Sequence, residues 1–331
     1  MKEVFLKKYI IILLIAPFLV IGCKSELESA AKTENENQKN TINYKIEKIK
    51  NENFPSQLIN IEKKLDYVKN KYQEYLISYK SDGLKIFGKM NIPDQEIPEN
   101  GFPVVIINHG YIPPNKYDTD NSYRLVDGFF ASSGFITLKS DYRGWNNSEK
   151  LENSVYNRLG LVRDIKYLLE AIPNIEEADE NNVFVFGHSM GGEVTLKLLQ
   201  TIDDNKLRAA SLWAPCYEYY PEVSLYFIRD DGENEEMAQK RRKKILSYIP
   251  EKDFPLYSVT NYVNYIDIPI ILHHGTMDKS VPFQWSLNLV EELKKHGKDY
   301  TFYSYKDDHN LSNNFFSVLA RDVKFFKKNI Q

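Results

Sequence analysis

The chain has 331 residues, of which 42% are hydrophobic and 27% are charged, and its formal net charge is −3. This length and composition allow the core of one large α/β domain or two small ones. The small negative charge gives no support to a nucleic-acid partner.

Residues 1–22 have the pattern of a lipoprotein signal peptide. Lysines begin the segment, and residues 10–21 form an apolar stretch too short to span a bilayer comfortably. It ends in Leu19-Val20-Ile21-Gly22-Cys23, which resembles a bacterial lipobox, where a small residue precedes the lipid-bearing cysteine. We therefore expect an exported protein held at a cell-envelope membrane by a lipid on Cys23. An ordinary secretory signal peptide and a membrane anchor helix are the alternatives.

Residues 23–50 are rich in Glu, Lys, Asn and Thr, which predicts a flexible tether. In residues 54–71, apolar side chains recur at helical spacing, which predicts a helix. Cys216 is the only other cysteine, so a chain acylated at Cys23 forms no internal disulfide. We expect Cys216 to be a small buried side chain.

Residues 51–331 alternate between strand and helix patterns. A hairpin is predicted at 75–79 and 84–90, and further strands at 104–108, 135–138, 183–186, 209–213, 268–272 and 300–305. Helices are predicted at 122–133, 155–171, 194–199, 285–296 and 315–328. This order predicts an α/β fold with a mostly parallel central sheet and helices on both faces.

Residues 217–265 separate two predicted strands by more than an ordinary connection needs. We interpret this segment as a helical cap insertion over the site. It contains Lys240-Arg241-Arg242-Lys243-Lys244. This basic cluster could bind an anionic substrate or a membrane surface, but we favour a solvated helix face paired with Glu235 and Glu236.

The most informative motif follows the apolar strand at 183–186. Gly187-His188-Ser189-Met190-Gly191 has the form G-x-S-x-G, and a helical pattern follows it. A serine on such a strand-to-helix turn has an exposed hydroxyl and a strained backbone, and only small residues fit two positions before and after it. The motif predicts that Ser189 is a catalytic nucleophile.

A serine nucleophile needs a base and an orienting acid. On a parallel sheet both should follow strands, because the carboxyl ends of parallel strands meet at one edge. Asp278 follows the strand at 268–272, and His309 follows the strand at 300–305. Asp307 and Asp308 are alternative candidates for the acid. We favour Asp278, because residues adjacent to His309 on the same loop are rarely placed well to orient its imidazole.

The oxyanion of the reaction requires two backbone N–H donors. Met190 follows the nucleophile and is predicted to supply one of them. Tyr111, after the turn residue Gly110, is predicted to supply the other.

The chain resembles α/β hydrolases of the prolyl oligopeptidase and dienelactone-hydrolase-like kind. The matching segments are His109-Gly110-Tyr111, Asp141-Tyr142-Arg143-Gly144, Gly187-His188-Ser189-Met190-Gly191-Gly192, His274-Gly275-Thr276-Met277-Asp278 and His309. The resemblance implies an α/β-hydrolase fold and the chain order Ser189, Asp278, His309 for a catalytic triad. The chain departs from the pattern of that family at Tyr111-Ile112-Pro113-Pro114 and at Trp145-Asn146-Asn147-Ser148.

We therefore expect a serine hydrolase that cleaves an ester or a peptide bond of a small substrate, with a peptidase favoured and a carboxylesterase as the alternative. A surface lipoprotein that only binds is the other hypothesis, and a complete triad argues against it. The mechanism requires no metal or organic cofactor. His273 and His274 should point to opposite faces of their strand, which disfavours a metal site. For His109, His188 and Arg143 we favour structural roles.

Overall fold

The structure is a computed structural model that describes residues 43–202, 206–230 and 235–331. The predicted signal peptide, Cys23 and most of the predicted tether lie outside these residues. Among the described residues, no helix has the length and apolar character needed to cross a bilayer.

Nine strands occur in the described chain: β1 (Asn60–Val68), β2 (Tyr72–Ser81), β3 (Leu84–Pro93), β4 (Phe102–Asn108), β5 (Ile136–Ser140), β6 (Ala178–His188), β7 (Ala209–Trp213), β8 (Ile270–Gly275) and β9 (Tyr300–Tyr305). The α-helices are α1 (Ile46–Lys50), α2 (Arg124–Ser132), α3 (Ser154–Leu159), α4 (Leu161–Leu169), α5 (Met190–Leu199), α6 (Glu222–Asp230), α7 (Glu235–Leu246), α8 (Phe283–Lys295) and α9 (Phe315–Lys328). Short 3₁₀ helices span Ile172–Asn174, Glu251–Tyr257, Val259–Asn261 and Val263–Tyr265.

The strands form one sheet in the order β1-β2-β3-β5-β4-β6-β7-β8-β9. β1, β2 and β3 are antiparallel, and β3 is antiparallel to β5. From β5 to β9 every neighbouring pair is parallel. The predicted hairpin and mostly parallel sheet are therefore confirmed, and the carboxyl ends of β4, β6, β8 and β9 lie at one edge.

The sheet buries aromatic side chains against two helices. Phe184 and Phe186 of β6 share a hydrophobic cluster with Phe130 of α2 and Phe326 of α9, and all four are fully buried. The fully apolar strand segments predicted from the sequence are buried because helices cover them. This packing holds β6, α2 and α9 together, and the end of β6 and the start of α9 border the site.

The predicted helix at 54–71 is wrong, because residues 60–68 form the edge strand β1. β1 pairs antiparallel with β2, from Asn60 opposite Ser78 to Val68 opposite Tyr72. Ile61 is 59% exposed, so the apolar residues that suggested a helix do not form a buried helical face. The hydrogen bonds of the sheet edge decide the conformation here.

The end of the predicted tether also needs correction. Residues 46–50 form α1, in which Ile46 and Ile49 are buried. The Tyr44 ring stacks on Tyr156 with ring centroids 5.1 Å apart. These apolar side chains, spaced for one face, attach the end of the segment to the domain.

The predicted helix at 155–171 is interrupted at Gly160, which separates α3 from α4. A Cβ on Gly160 would lie 2.4 Å from Nη1 of Arg143. The buried guanidinium therefore occupies the space that a side chain at this position would need.

The segment predicted to be a helical insertion contains α6, α7 and three short 3₁₀ helices, and its position over the site stays a prediction. Tyr226 of α6 packs on Trp285, and Gln200, next to α5, donates to the carbonyl of Val259. Among the described residues, none from 217–265 lines the cavity beside Ser189. The insertion therefore packs on the neighbouring helices and is no wall of that cavity.

In the basic cluster of α7, Arg242 is paired with acids other than the predicted ones. Arg242 pairs with Glu222 and Glu251, whereas Glu235 pairs with Arg229. The fold brings α6 beside α7, so the acidic partners are distant in sequence.

Candidate active site

Ser189 lies on a strained turn between β6 and α5. Its φ is 56° and its ψ is −119°, a conformation that L-residues rarely adopt. Its amide donates to the carbonyl of Trp213 at 2.9 Å, and its carbonyl accepts from Gly192 and Cys216 at 2.9 and 3.1 Å. These backbone hydrogen bonds hold the strained residue in place at the carboxyl edge of the sheet.

Two glycines make this turn possible. A Cβ on Gly187 would lie 2.2 Å from Oγ1 of Thr195, and a Cβ on Gly191 would lie 1.9 Å from the carbonyl oxygen of Asn108. No side chain fits at either position, because backbone and a buried hydroxyl already occupy the space. The spacing of the motif therefore follows from the packing of α5 against β4.

Asp278 and His309 are brought together from the loops after β8 and β9. Nδ1 of His309 lies 2.7 Å from Oδ2 of Asp278. The other oxygen of Asp278 accepts from the amides of Ser280 and Val281 at 2.7 and 2.9 Å. The carboxylate is thus fixed, and it sets the Nδ1–H tautomer of His309, which leaves Nε2 as the proton acceptor.

The rival acids are occupied elsewhere. Asp307 accepts from the side-chain amides of Asn313 and Asn314 at 2.9 and 2.8 Å. Asp308 is exposed and accepts from Ser312. Of the three candidates in the sequence, Asp278 is the carboxylate in contact with the His309 imidazole.

A second histidine, which the sequence pattern does not assign to the site, binds the same carboxylate. Nε2 of His274 lies 3.0 Å from Oδ2 of Asp278, and its Nδ1 lies 2.7 Å from Oγ of Ser286. Burial raises the pKa of Asp278, but the hydrogen bonds from His274 and His309 outweigh it and hold that pKa well below its usual value. The sequence signal for this contact is the position of His274 at the end of the apolar strand, four residues before Asp278.

His273 points to the opposite side of β8, as predicted. Its Nε2 lies 3.0 Å from Oδ1 of Asp322, and its Nδ1 lies 2.9 Å from the hydroxyl of Tyr305. Adjacent residues on a strand face opposite ways, so the two histidines serve different networks.

We predict that His274 sets the pH profile of the reaction. In His274→Phe the Asp278 carboxylate loses one donor and holds the His309 imidazolium more strongly. The acidic limb of the kcat/KM profile should therefore move up by about 0.5 to 1 pH unit. His274→Gln retains an N–H donor and should keep the profile of the wild type, as should the control His273→Phe. A profile of His274→Phe that coincides with that of the wild type contradicts the prediction.

Ser189 and His309 line the same cavity, which has a volume of about 420 Å³. The Ser189 hydroxyl is buried and lies 3.9 Å from Sγ of Cys216. Among the described residues, the Ser189 hydroxyl has Sγ of Cys216 as its hydrogen-bond partner and makes no hydrogen bond to His309. Side chains in unliganded sites often adopt their catalytic hydrogen bonds only when substrate binds.

Cys216 is buried, as predicted, with 1% of its surface exposed. Burial raises the pKa of its thiol to about 12, so it is a neutral thiol near pH 7. We predict that iodoacetamide leaves the activity of the folded protein unchanged. Mass spectrometry should find the Cys216 peptide alkylated only after denaturation. Alkylation of Cys216 in the folded protein would contradict this.

The predicted oxyanion donors remain available. Among the described residues, neither the Tyr111 amide nor the Met190 amide has a hydrogen-bond acceptor. The neighbouring Gly110 amide is occupied, because it donates to the Tyr123 hydroxyl at 2.7 Å. Met190 is the first residue of α5, where free N–H groups favour negative charge.

His188 connects these parts of the site. Its Nδ1 contacts the hydroxyl of Tyr123, and its Nε2 lies 3.1 Å from the main-chain carbonyl of His309. Burial and the nearby His309 lower the pKa of His188 to about 3, so it is neutral. His188 therefore holds the His309 loop against the turn at Ser189, in agreement with the expected local role.

The structural roles favoured for His109 and Arg143 also agree with the structure. His109 is fully buried, stacks on Tyr117 and has its Nδ1 2.7 Å from the Gly110 carbonyl. Burial lowers the pKa of His109 to about 4. Arg143 is fully buried and pairs with Asp164 and Asp82 at 2.7 and 2.9 Å.

A model of the prolyl oligopeptidase family matches residues 121–331. Dipeptidyl peptidase family member 1 of Caenorhabditis elegans is 24% identical over 267 residues, which are 75% of this chain and 30% of that protein. Uncharacterized peptidase YtmA of Bacillus subtilis is 25% identical over 228 residues, which are 67% of this chain and 79% of that protein. The chain thus spans less than a third of the length of the first relative.

Solved structures share the fold. A putative dipeptidyl aminopeptidase IV from Bacteroides ovatus matches with a TM-score of 0.64 and 18% identity, over 79% of this chain and 36% of that one. An acetyl xylan esterase from Paenibacillus sp. R4 matches with a TM-score of 0.61 and 17% identity, over 84% of this chain and 91% of that one. Both peptidases and esterases therefore occur on this architecture.

Proposed function

The chain belongs to the prolyl oligopeptidase family, and from this premise we propose that it is a serine hydrolase whose catalytic residues are Ser189, His309 and Asp278. The observation that carries the proposal is the 2.7 Å contact between Nδ1 of His309 and Oδ2 of Asp278, beside a serine on a strained turn. This arrangement leaves Nε2 of His309 free to accept the serine proton.

The reaction begins when Oγ of Ser189 attacks the substrate carbonyl and Nε2 of His309 takes the hydroxyl proton. The amides of Tyr111 and Met190 hold the resulting oxyanion, and each such donor contributes about 3 kcal/mol. The tetrahedral intermediate collapses when the bond to the leaving group breaks and His309 gives that group the proton. Water then attacks the acyl-enzyme with His309 as base, which releases the acid and restores Ser189.

We favour a peptidase, because the prolyl oligopeptidase family and the relatives named above as peptidases support cleavage of a peptide or amide bond. A carboxylesterase is the second candidate. The apolar cavity beside Ser189 supports an esterase. An apolar alcohol can bind in such a cavity without the hydrogen bonds that the backbone of a peptide would need.

Labelling by a fluorophosphonate tests the proposal. The probe should modify Ser189 in folded protein and no other serine, as read from the peptide that carries the adduct. Assays with p-nitrophenyl esters and aminoacyl-p-nitroanilides then separate the two candidates. Folded protein without an adduct on Ser189 would sink the hydrolase proposal, and ester turnover without anilide turnover would reject the peptidase.

We also propose that the protein is exported and attached to a cell-envelope membrane through Cys23. The support is the basic, apolar and lipobox-like sequence of residues 1–23. In a detergent phase partition, the wild type should enter the detergent phase and Cys23→Ser should enter the aqueous phase. Equal partition of both forms would reject the lipid anchor.

A further inference from the structure

The cavity beside Ser189 lies on one particular side of the nucleophile. Its walls are the turn after β4, the start of α2, the end of β6, and the loop from β9 to the start of α9. These walls include Gly110, Tyr111, Val126, Phe186, His188 and Phe315. His309 and Asn310 border it as well, and the rings of His188 and His309 have centroids 4.6 Å apart. The cavity is therefore on the histidine side of Ser189.

The chemistry assigns that side to the leaving group. In the reaction proposed above, His309 gives its proton to the departing oxygen or nitrogen. That atom must lie within hydrogen-bond reach of the imidazole, so the rest of the leaving group extends beside His309. The volume of about 420 Å³ is large enough for a small organic group.

The inner walls of the cavity are apolar. Val126, Phe186 and Trp213 belong to the buried hydrophobic cluster, and Phe315 packs against it. The polar atoms near these walls are already engaged. The Trp213 indole donates to Asp322 at 2.9 Å, and the Tyr123 hydroxyl contacts Gly110 and His188. A charged group placed there would lose its hydration without a new partner.

The charged residue at the edge of the cavity is also committed. Arg124 lies 3.1 Å from both Asp66 and Glu74. Leu125 beside it is 64% exposed and Tyr111 is 61% exposed, so apolar surface continues to the mouth. The interior therefore favours an apolar ligand, and the exposed residues Asn121 and Asn310 add uncharged polar surface to the lining.

We propose that this cavity binds the leaving group, and that the preferred substrates carry an uncharged apolar alcohol or amine of ring-bearing size. The inference rests on the proposed hydrolase function and adds its substrate class. We therefore expect the preference among substrates to follow the apolar surface that the leaving group buries in this cavity, whichever acyl group the substrate carries.

Two acetate esters test the inference, because they share the acyl group and have leaving alcohols of similar acidity. The kcat/KM for 2-naphthyl acetate should exceed that for phenyl acetate by about 10-fold, as expected for one extra buried ring segment. Phe315→Ala removes a wall and should bring the ratio close to one. Phe316→Ala is the matched control, since Phe316 is 58% exposed and is not among the residues lining the cavity. It should keep the wild-type ratio.

A measurement on the wild type keeps the test independent of the variants. Free 2-naphthol should slow the fluorophosphonate labelling of Ser189 in a saturable way, whereas phenol at equal concentration should protect much less. Equal kcat/KM for the two esters, with Ser189 labelled and unprotected by 2-naphthol, overturns the leaving-group assignment but leaves the hydrolase intact. Absence of both turnover and labelling overturns the hydrolase proposal itself.

Discussion

Exchanging Asp278 for asparagine should lower kcat by about four orders of magnitude with little change in the fold. The asparagine amide can donate a hydrogen bond to Nδ1 of His309, which lies 2.7 Å from Oδ2 in the wild type. That donation stabilises the Nε2–H tautomer, which cannot accept the Ser189 proton. Loss of the carboxylate also removes the charge that stabilises the imidazolium. Steady-state kinetics on an activated ester measures the effect.

Asp308→Asn is the matched control for this prediction. Asp308 is one residue from His309 in sequence and is exposed, and its carboxylate accepts from Asn310 and Ser312 and does not contact His309. Asp308→Asn should retain kcat within a factor of about 3, because the asparagine oxygen can still accept the two backbone hydrogen bonds and exposed substitutions are usually mild. Ser189→Ala gives the residual rate for comparison. Equal losses in Asp278→Asn and Asp308→Asn would refute the assignment of Asp278 as the orienting acid.

Exchanging Arg143 for leucine should lower the free energy of unfolding by about 3 to 5 kcal/mol. The guanidinium is fully buried, and its Nε and Nη2 lie 2.9 and 2.7 Å from Oδ1 of Asp164. Burial lowers the pKa of Arg143, but the nearby Asp164 and Asp82 carboxylates outweigh it and raise that pKa above its usual value. Its removal leaves the Asp164 carboxylate buried without its cation. Urea unfolding at neutral pH measures the loss.

Arg229→Leu provides the comparison for an exposed ion pair. Arg229 is 39% exposed and pairs with Glu222 and Glu235 at 3.3 and 2.8 Å. Water screens these pairs, so the expected loss is much smaller than that of Arg143→Leu. The prediction for Arg143 fails if both variants unfold at the same urea concentration as the wild type.

The turn at Ser189 could be predicted from the sequence because all its parts are contiguous. An apolar strand, two glycines that admit no Cβ and a following helix lie within a short stretch of chain. Local sterics and the strand-to-helix transition therefore determine the position of the nucleophile. The parallel sheet was predictable for a similar reason, since buried strands give continuous apolar runs.

Contacts between distant residues were not predictable in the same way. The edge strand β1 was mistaken for a helix, because its conformation depends on hydrogen bonds to β2 and not on burial of one face. The acids that pair with Arg242 were misassigned, because α6 and the segment after α7 supply them. His274 received no role at the site, because its contact with Asp278 depends on the direction of one side chain.

The sequence by itself determined the α/β architecture, the nucleophile Ser189 and the two loops that carry the acid and the base, because each follows a recognisable buried strand. The tertiary structure alone decided which carboxylate contacts His309, since Asp307 is bound by Asn313 and Asn314 while Asp278 is free to accept from the imidazole. It also decided the apolar character of the cavity beside Ser189. That character comes from core side chains of α2, β6, β7 and α9, which only the packing of helices on the sheet brings together.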